Sequence, residues 1–171
     1  MRFSFGLMIV FSLMIVASLV YAEPFAPKVH VPQEMLDPTH PDALDAMMAK
    51  NSKIPSKQEV GLPAYQGAKV MHTQQPSGAQ INGKELQPNH MVRMGTADPI
   101  DRVRRFYREQ LSDWSSTESF GTHILYQGEG KFELMHESSM ITPHVQIREA
   151  YPQESPLMPE MSTVIEIYYR P

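Results

Sequence analysis

Hydrophobic and polar positions divide this 171-residue chain into three stretches with different patterns. The first is an uncharged, largely apolar run from Phe3 to Ala22 behind Met1-Arg2. A positive start, an apolar middle and small residues at Val20 and Ala22 before Glu23 form the pattern of a secretory signal peptide, residues 1–22. A run of about 20 residues is also long enough to cross a ~30 Å hydrocarbon core as a helix. An uncleaved N-terminal membrane anchor is therefore the alternative, but the Val-Tyr-Ala ending and the switch to Glu23-Pro24 favour cleavage. The second stretch, 23–60, carries Pro24, Pro27, Pro32, Pro38, Pro41 and Pro55, too many for continuous regular structure. It reads as a Pro-rich flexible linker. One short helix is expected in it, with Pro41 at the first helical position and Leu44, Met47 and Met48 on one face. That face either stays transient in solvent or docks on a partner or on the domain.

The third stretch, 61–171, alternates in a way that predicts one α+β domain. Ala68–Thr73 and His90–Met94 read as strands that pair across a loop containing Asn82-Gly83. Asp98-Pro99 opens a helix expected to reach Ser112, with Asp98 as the cap. Ile100, Val103, Tyr107 and Leu111 form its apolar stripe, with Phe106 on the edge. Thr122–Gln127, Lys131–His136, His144–Arg148 and Ser162–Tyr169 follow as strands, with Gly128-Glu129-Gly130 as a hairpin turn. Pro152–Met161 is too proline-broken for a strand and is expected as a surface loop. The sum is one amphipathic helix packed on a largely antiparallel sheet of five to six strands.

Composition narrows the setting. There is no cysteine, so disulfides, thiolate zinc sites, cysteine nucleophiles and a lipid-modified N-terminal Cys are all excluded. Removing Arg2 with the signal takes the basic residues from 15 to 14 against 19 acidic ones, a net charge near −5. A mildly acidic chain argues against a nucleic-acid binder. No second long apolar run follows the first, so no membrane span is expected after cleavage.

Leu62-Pro63-Ala64-Tyr65-Gln66-Gly67-Ala68 before a strand resembles the L-P-x-Y-P-G-A opening of small uncharacterised exported bacterial domains. Thr96-Ala97-Asp98-Pro99, followed by Val103, Phe106-Tyr107, Leu111 and Trp114, is similar to their T-x-D … F-Y … L helix. Gln66 departs from the family's proline. The resemblance covers Leu62 to Trp114 and implies export and an α+β fold. It brings no catalytic residues.

Three groups of residues could carry function. Arg102, Arg104, Arg105 and Arg108 lie off the helix's apolar stripe. They form either a solvated face or a contact for an anionic surface or an acidic envelope partner. Leu157, Met158 and Met161, in the proline-rich loop, either dock a partner or fold back over the sheet edge. Thirteen Met and seven His raise copper as an alternative cofactor, through His72, His90, Met91, Met94, His136 and His144. Neighbours on one strand point to opposite faces, so such ligands would have to converge from different strands. Enzyme signatures are sparse: His136-Glu137-Ser138-Ser139-Met140 lacks the second His of a zinc-protease motif and falls where a strand is expected to end. The expectation is thus a periplasmic, non-catalytic binding or scaffolding protein, with copper handling second and an unrecognised hydrolase third. The sequence leaves the oligomeric state open.

Overall fold

The computed structural model describes residues 23–171 apart from Asn82, Met135 and Ser155, and the side chains of Ala79, Ile81 and Lys84 are also outside the described set. The expected signal 1–22, Asn82 of the Asn-Gly turn and Met135 lie outside the described residues.

Strand alternation builds one six-stranded sheet in the order β1 (Lys69–Gln74), β4 (His90–Thr96), β8 (Thr163–Tyr169), β7 (His144–Glu149), β6 (Thr122–Tyr126), β5 (Ser115–Ser119). Every neighbouring pair is antiparallel. A small hairpin of β2 (Ala79–Ile81) and β3 (Lys84–Leu86) sits in the β1–β4 connection. The fold is α+β, with few helices. Among the described residues no helix is long and apolar enough to cross a membrane.

The helix α3 (Ile100–Gln110) covers one face of the sheet. Its buried stripe is Val103, Tyr107 and Leu111, in one cluster with Val92, Met94, Leu125, Val145, Ile147, Ile165 and Ile167. Phe106 is half-buried and meets Tyr65 and Tyr107 edge-on, at 5.2 and 5.0 Å between ring centres. The helix starts one residue later than the sequence predicts. Pro99 is the cap residue, and no side chain caps it. Asp98 instead accepts from the Tyr65 hydroxyl at 2.8 Å and from Arg102 at 2.9 Å. The carboxylate is thus spent on joining the helix start to the 62–68 opening.

The segment 23–60 differs from the flexible linker expected. Phe25 is 1% exposed and joins the helix-side core with Ala26 and Val60. Lys28 bridges Val70 of β1, and Pro24 bridges Ser56. The helix α1 (Ala43–Asn51) begins after Asp42, not at Pro41, and buries Ala43, Ala46 and Ala49. Leu44, Met47 and Met48 face outward. Its small residues turn inward because they allow close approach to the layer beneath. The helix α2 (Lys57–Val60) is fixed by a reciprocal pair: Ser56 accepts from the Glu59 N–H, and the Glu59 carboxylate accepts from the Ser56 N–H. Gly61 closes it with φ 66°, a left-handed conformation suited to glycine.

Two further differences lie after α3. β5 is a polar edge strand that apolar periodicity does not reveal. The described residues of Lys131–His136 do not form a strand. Phe132 and Leu134 anchor a loop, with Phe132 stacked on Tyr126 at 5.0 Å. Glu137–Ile141 then forms a short helix, α4, capped by the His136 ring, which accepts from the Ser138 N–H.

Candidate functional site

The second face of the sheet is covered too, and its register places side chains in rows. Residues 91, 93 and 95 of β4, 164, 166 and 168 of β8, 144, 146 and 148 of β7, and 124 and 126 of β6 share this face, because side chains alternate along each strand. One row runs Gln74, Met91, Tyr168, His144, Tyr126, each the cross-strand partner of the next. The row beside it runs His72, Arg93, Glu166, Gln146, Ile124. The next brings Gly95 beside Val164. It is closed by Met158 and Met161, which pack with Val29, Ala49 and Met71.

The first row floors a cavity of about 460 Å³. Tyr168, His144, Gln146 and Met91 lie on central strands. The walls are Gln74 to Ser77, Pro88 and Asn89, and Leu134, Ser139 and Met140. The rings of His144 and Tyr168 lie parallel at 4.2 Å, and Phe132 packs against His144 at 4.8 Å. His144 is 1% exposed, and burial drives its pKa down to about 4. The neutral ring therefore carries one proton. Its Nδ1 faces the Thr142 carbonyl at 2.8 Å, which can only accept, so Nδ1 donates there. Nε2 is then the acceptor and takes the Gln146 amide N–H at 3.0 Å. Asn89 ties the rim to α4 by donating to the Thr142 carbonyl at 2.7 Å.

The second row is charged and compensated. Arg93 donates to Glu166 at 2.7 Å, and the Tyr168 hydroxyl donates to the same carboxylate at 3.2 Å. Burial, with the Glu166 charge beside it, raises the Tyr168 pKa, so its hydroxyl stays protonated. Arg148 grips both oxygens of Glu154. Burial alone would raise Glu154, but the Arg148 and Tyr151 N–H donors outweigh it and hold that carboxyl low. A second, smaller cavity of about 250 Å³ lies at this end, lined by Asp45, His72, Arg93 and Glu154 among others. Burial and the adjacent Arg93 push His72 down.

The residues singled out from sequence are dispersed. Arg102 is paired with Asp98, and with Arg105 it borders a shallow groove beside Tyr65 and Phe106. Arg104 leans the other way, 3.5 Å from Glu118 and near the buried His123. Arg108 is exposed. Met158 and Met161 are buried and Leu157 half-buried, so of the two readings these side chains fold back, over the second sheet face, rather than standing exposed for a partner. The copper candidates also separate. His90 and Met94 share the helix side, where His90 lies against Tyr169 and Met94 is in the core. His72 is beside Arg93, and His136 caps α4. Met91 and His144 share a cavity, but both His144 nitrogens are already bonded. Among the described residues no three His, Asp or Glu side chains are grouped to hold an ion. The His136-Glu137 near-motif sits at a helix start, not at a strand end, and still lacks its second His.

Tyr168, Gln146 and Gln74 escaped the sequence search. Polar residues at alternate strand positions read as a solvent face until a cover is known. The one available signal was Glu166, a charge set between Ile165 and Ile167 in the strongest strand. Comparison with protein-family models, with curated proteins and with solved structures finds no match for this chain.

Proposed function

We propose that this chain is an exported envelope protein of the non-catalytic binding type, with its ligand site in the neutral cavity over Tyr168 and His144. Export rests on the pattern of residues 1–22. The binding role rests on one observation: a cavity of about 460 Å³ with hydrogen-bonding side chains is held on central strands. That size falls in the range of about 300–1,000 Å³ for small-molecule sites. The floor is rigid, because His144 is fixed through both nitrogens, stacked on Tyr168 and packed against Phe132. A rigid floor lowers the ordering cost of binding. Glu166 is committed to Arg93 and Tyr168, and Glu154 to Arg148, so neither stands ready as an acid or base.

Native mass spectrometry of untagged protein from the host's envelope fraction tests both halves. The expected species begins at Glu23 and carries a small-molecule adduct that is lost on denaturation. A chain that retains residues 1–22 in the cytosol would overturn export. An adduct-free chain that also fails to take up any molecule from an envelope extract would overturn the binding role.

A further inference from the structure

We infer that the cavity over Tyr168 and His144 takes a neutral, hydroxyl-rich ligand of the saccharide class, an inference that rests on the binding role proposed above. Among the described residues its lining contains no Lys, Arg, Asp or Glu. A phosphate, carboxylate or ammonium would lose its hydration there without meeting an opposite charge. His144 supplies no charge either, since its ring is neutral at any pH well above 4. The smaller cavity on the same face differs in kind, with Asp45, Arg93 and Glu154 in its wall.

The polar groups that remain are amides and hydroxyls. Gln146 spends one of its two N–H groups on His144, which leaves the other and its oxygen for a ligand. Among the described residues, the side-chain amides of Gln74 and Gln75 have no protein partner. Each primary amide offers both donors and an acceptor. Sugar hydroxyls also donate and accept, so adjacent hydroxyls match such groups in pairs. A purely apolar ligand would strip water from these amides and replace it with nothing, which is costly. The rest of the wall, Met91, Leu134 and Met140, is apolar and suits the C–H face of a sugar ring. Methionine adapts readily to an irregular surface.

The methionines supply the assay. With ¹³C at the methyl carbons, Met91 and Met140 report from the cavity, and Met94 on the helix side is the internal control. The neutral probes are glucose, maltose, N-acetylglucosamine and its β-1,4-linked disaccharide. The charged probes are glucuronate and glucose 6-phosphate, and the apolar ones are indole and octanol. Neutral sugars are expected to shift Met91 and Met140, leave Met94 in place, and bind more tightly than the charged sugars. Gln146→Leu is expected to weaken binding about tenfold, the cost of one lost hydrogen bond. Gln74→Leu has no side-chain hydrogen bond within the described residues to lose, and should weaken binding without lowering the melting temperature. Sugar shifts that survive both substitutions unchanged would overturn the assignment to these amides. Shifts from charged or apolar probes alone would overturn the ligand class and leave the cavity as a site. No shift from any probe would overturn the ligand class and the binding role together.

Discussion

Lowering the pH from 7 to 4.5 places a proton on residue 144 in the unfolded chain but largely not in the folded one. An exposed His titrates near 6.5, whereas His144, buried between Tyr168 and Phe132, is held at about 4. Above pH 6.5 both states are neutral and the group contributes no pH dependence. Between 6.5 and 4 the unfolded state binds the extra proton, so stability falls as the pH falls. Below 4 both states are charged and the loss levels off. Linkage at about 1.4 kcal/mol per unit gives a loss of about 2 kcal/mol from pH 7 to 4.5 for this group. His72 and His123 are also lowered and add to the slope. The test is therefore a difference between the wild type and His144→Gln, which has no titrating ring. Urea melts at pH 7, 6, 5 and 4.5, with m-values checked for constancy, give both curves. The variant starts less stable because it loses the ring stack, yet it should lose about 2 kcal/mol less than wild type on acidification. Parallel curves, within about 0.5 kcal/mol, would refute the burial argument and the neutral floor that depends on it.

Two other substitutions test the packing. Gly95→Ala puts a Cβ into the space held by the Met161 and Met71 sulfurs and should cost about 1–3 kcal/mol. Met161→Ala in the same chain should relieve part of that cost, a coupling that a double-mutant cycle in urea would measure. Phe25→Ala should cost about 3–5 kcal/mol if residues 23–60 belong to the core, and a melt unchanged by it would restore the flexible linker.

How much was legible in the sequence follows from which forces act locally. α3 was readable because Asp98-Pro99 and a four-residue apolar stripe mark it without outside help. β8 was readable because its apolar residues run nearly unbroken. The packing of 23–60 was not, since its prolines argued for a linker and the inward face of α1 is alanine, which carries little hydrophobic signal. The capping box at Ser56 and Glu59 was a readable sign of order that proline frequency obscured. The polar β5 is held by pairing with β6, which periodicity does not detect. The site was the least legible part. Gln74, Met91, Tyr168 and His144 come from four strands, and only register makes them neighbours. The same register separates Met and His residues that suggested copper: Met91 and Met94 point to opposite faces of β4.

Blocking the cavity is the direct test of the ligand site over Tyr168 and His144. Ser77 lines the rim and is exposed, so Ser77→Trp can fill the mouth without disturbing the sheet. Wild type and variant, both recovered from the host envelope, would be compared by native mass spectrometry and by thermal melting. The account predicts a bound small molecule on the wild type, at least about tenfold less of it on the variant, and melting temperatures that agree once the ligand is removed. A variant that melts normally and holds its ligand as tightly as wild type would place the site elsewhere on the protein and contradict the account.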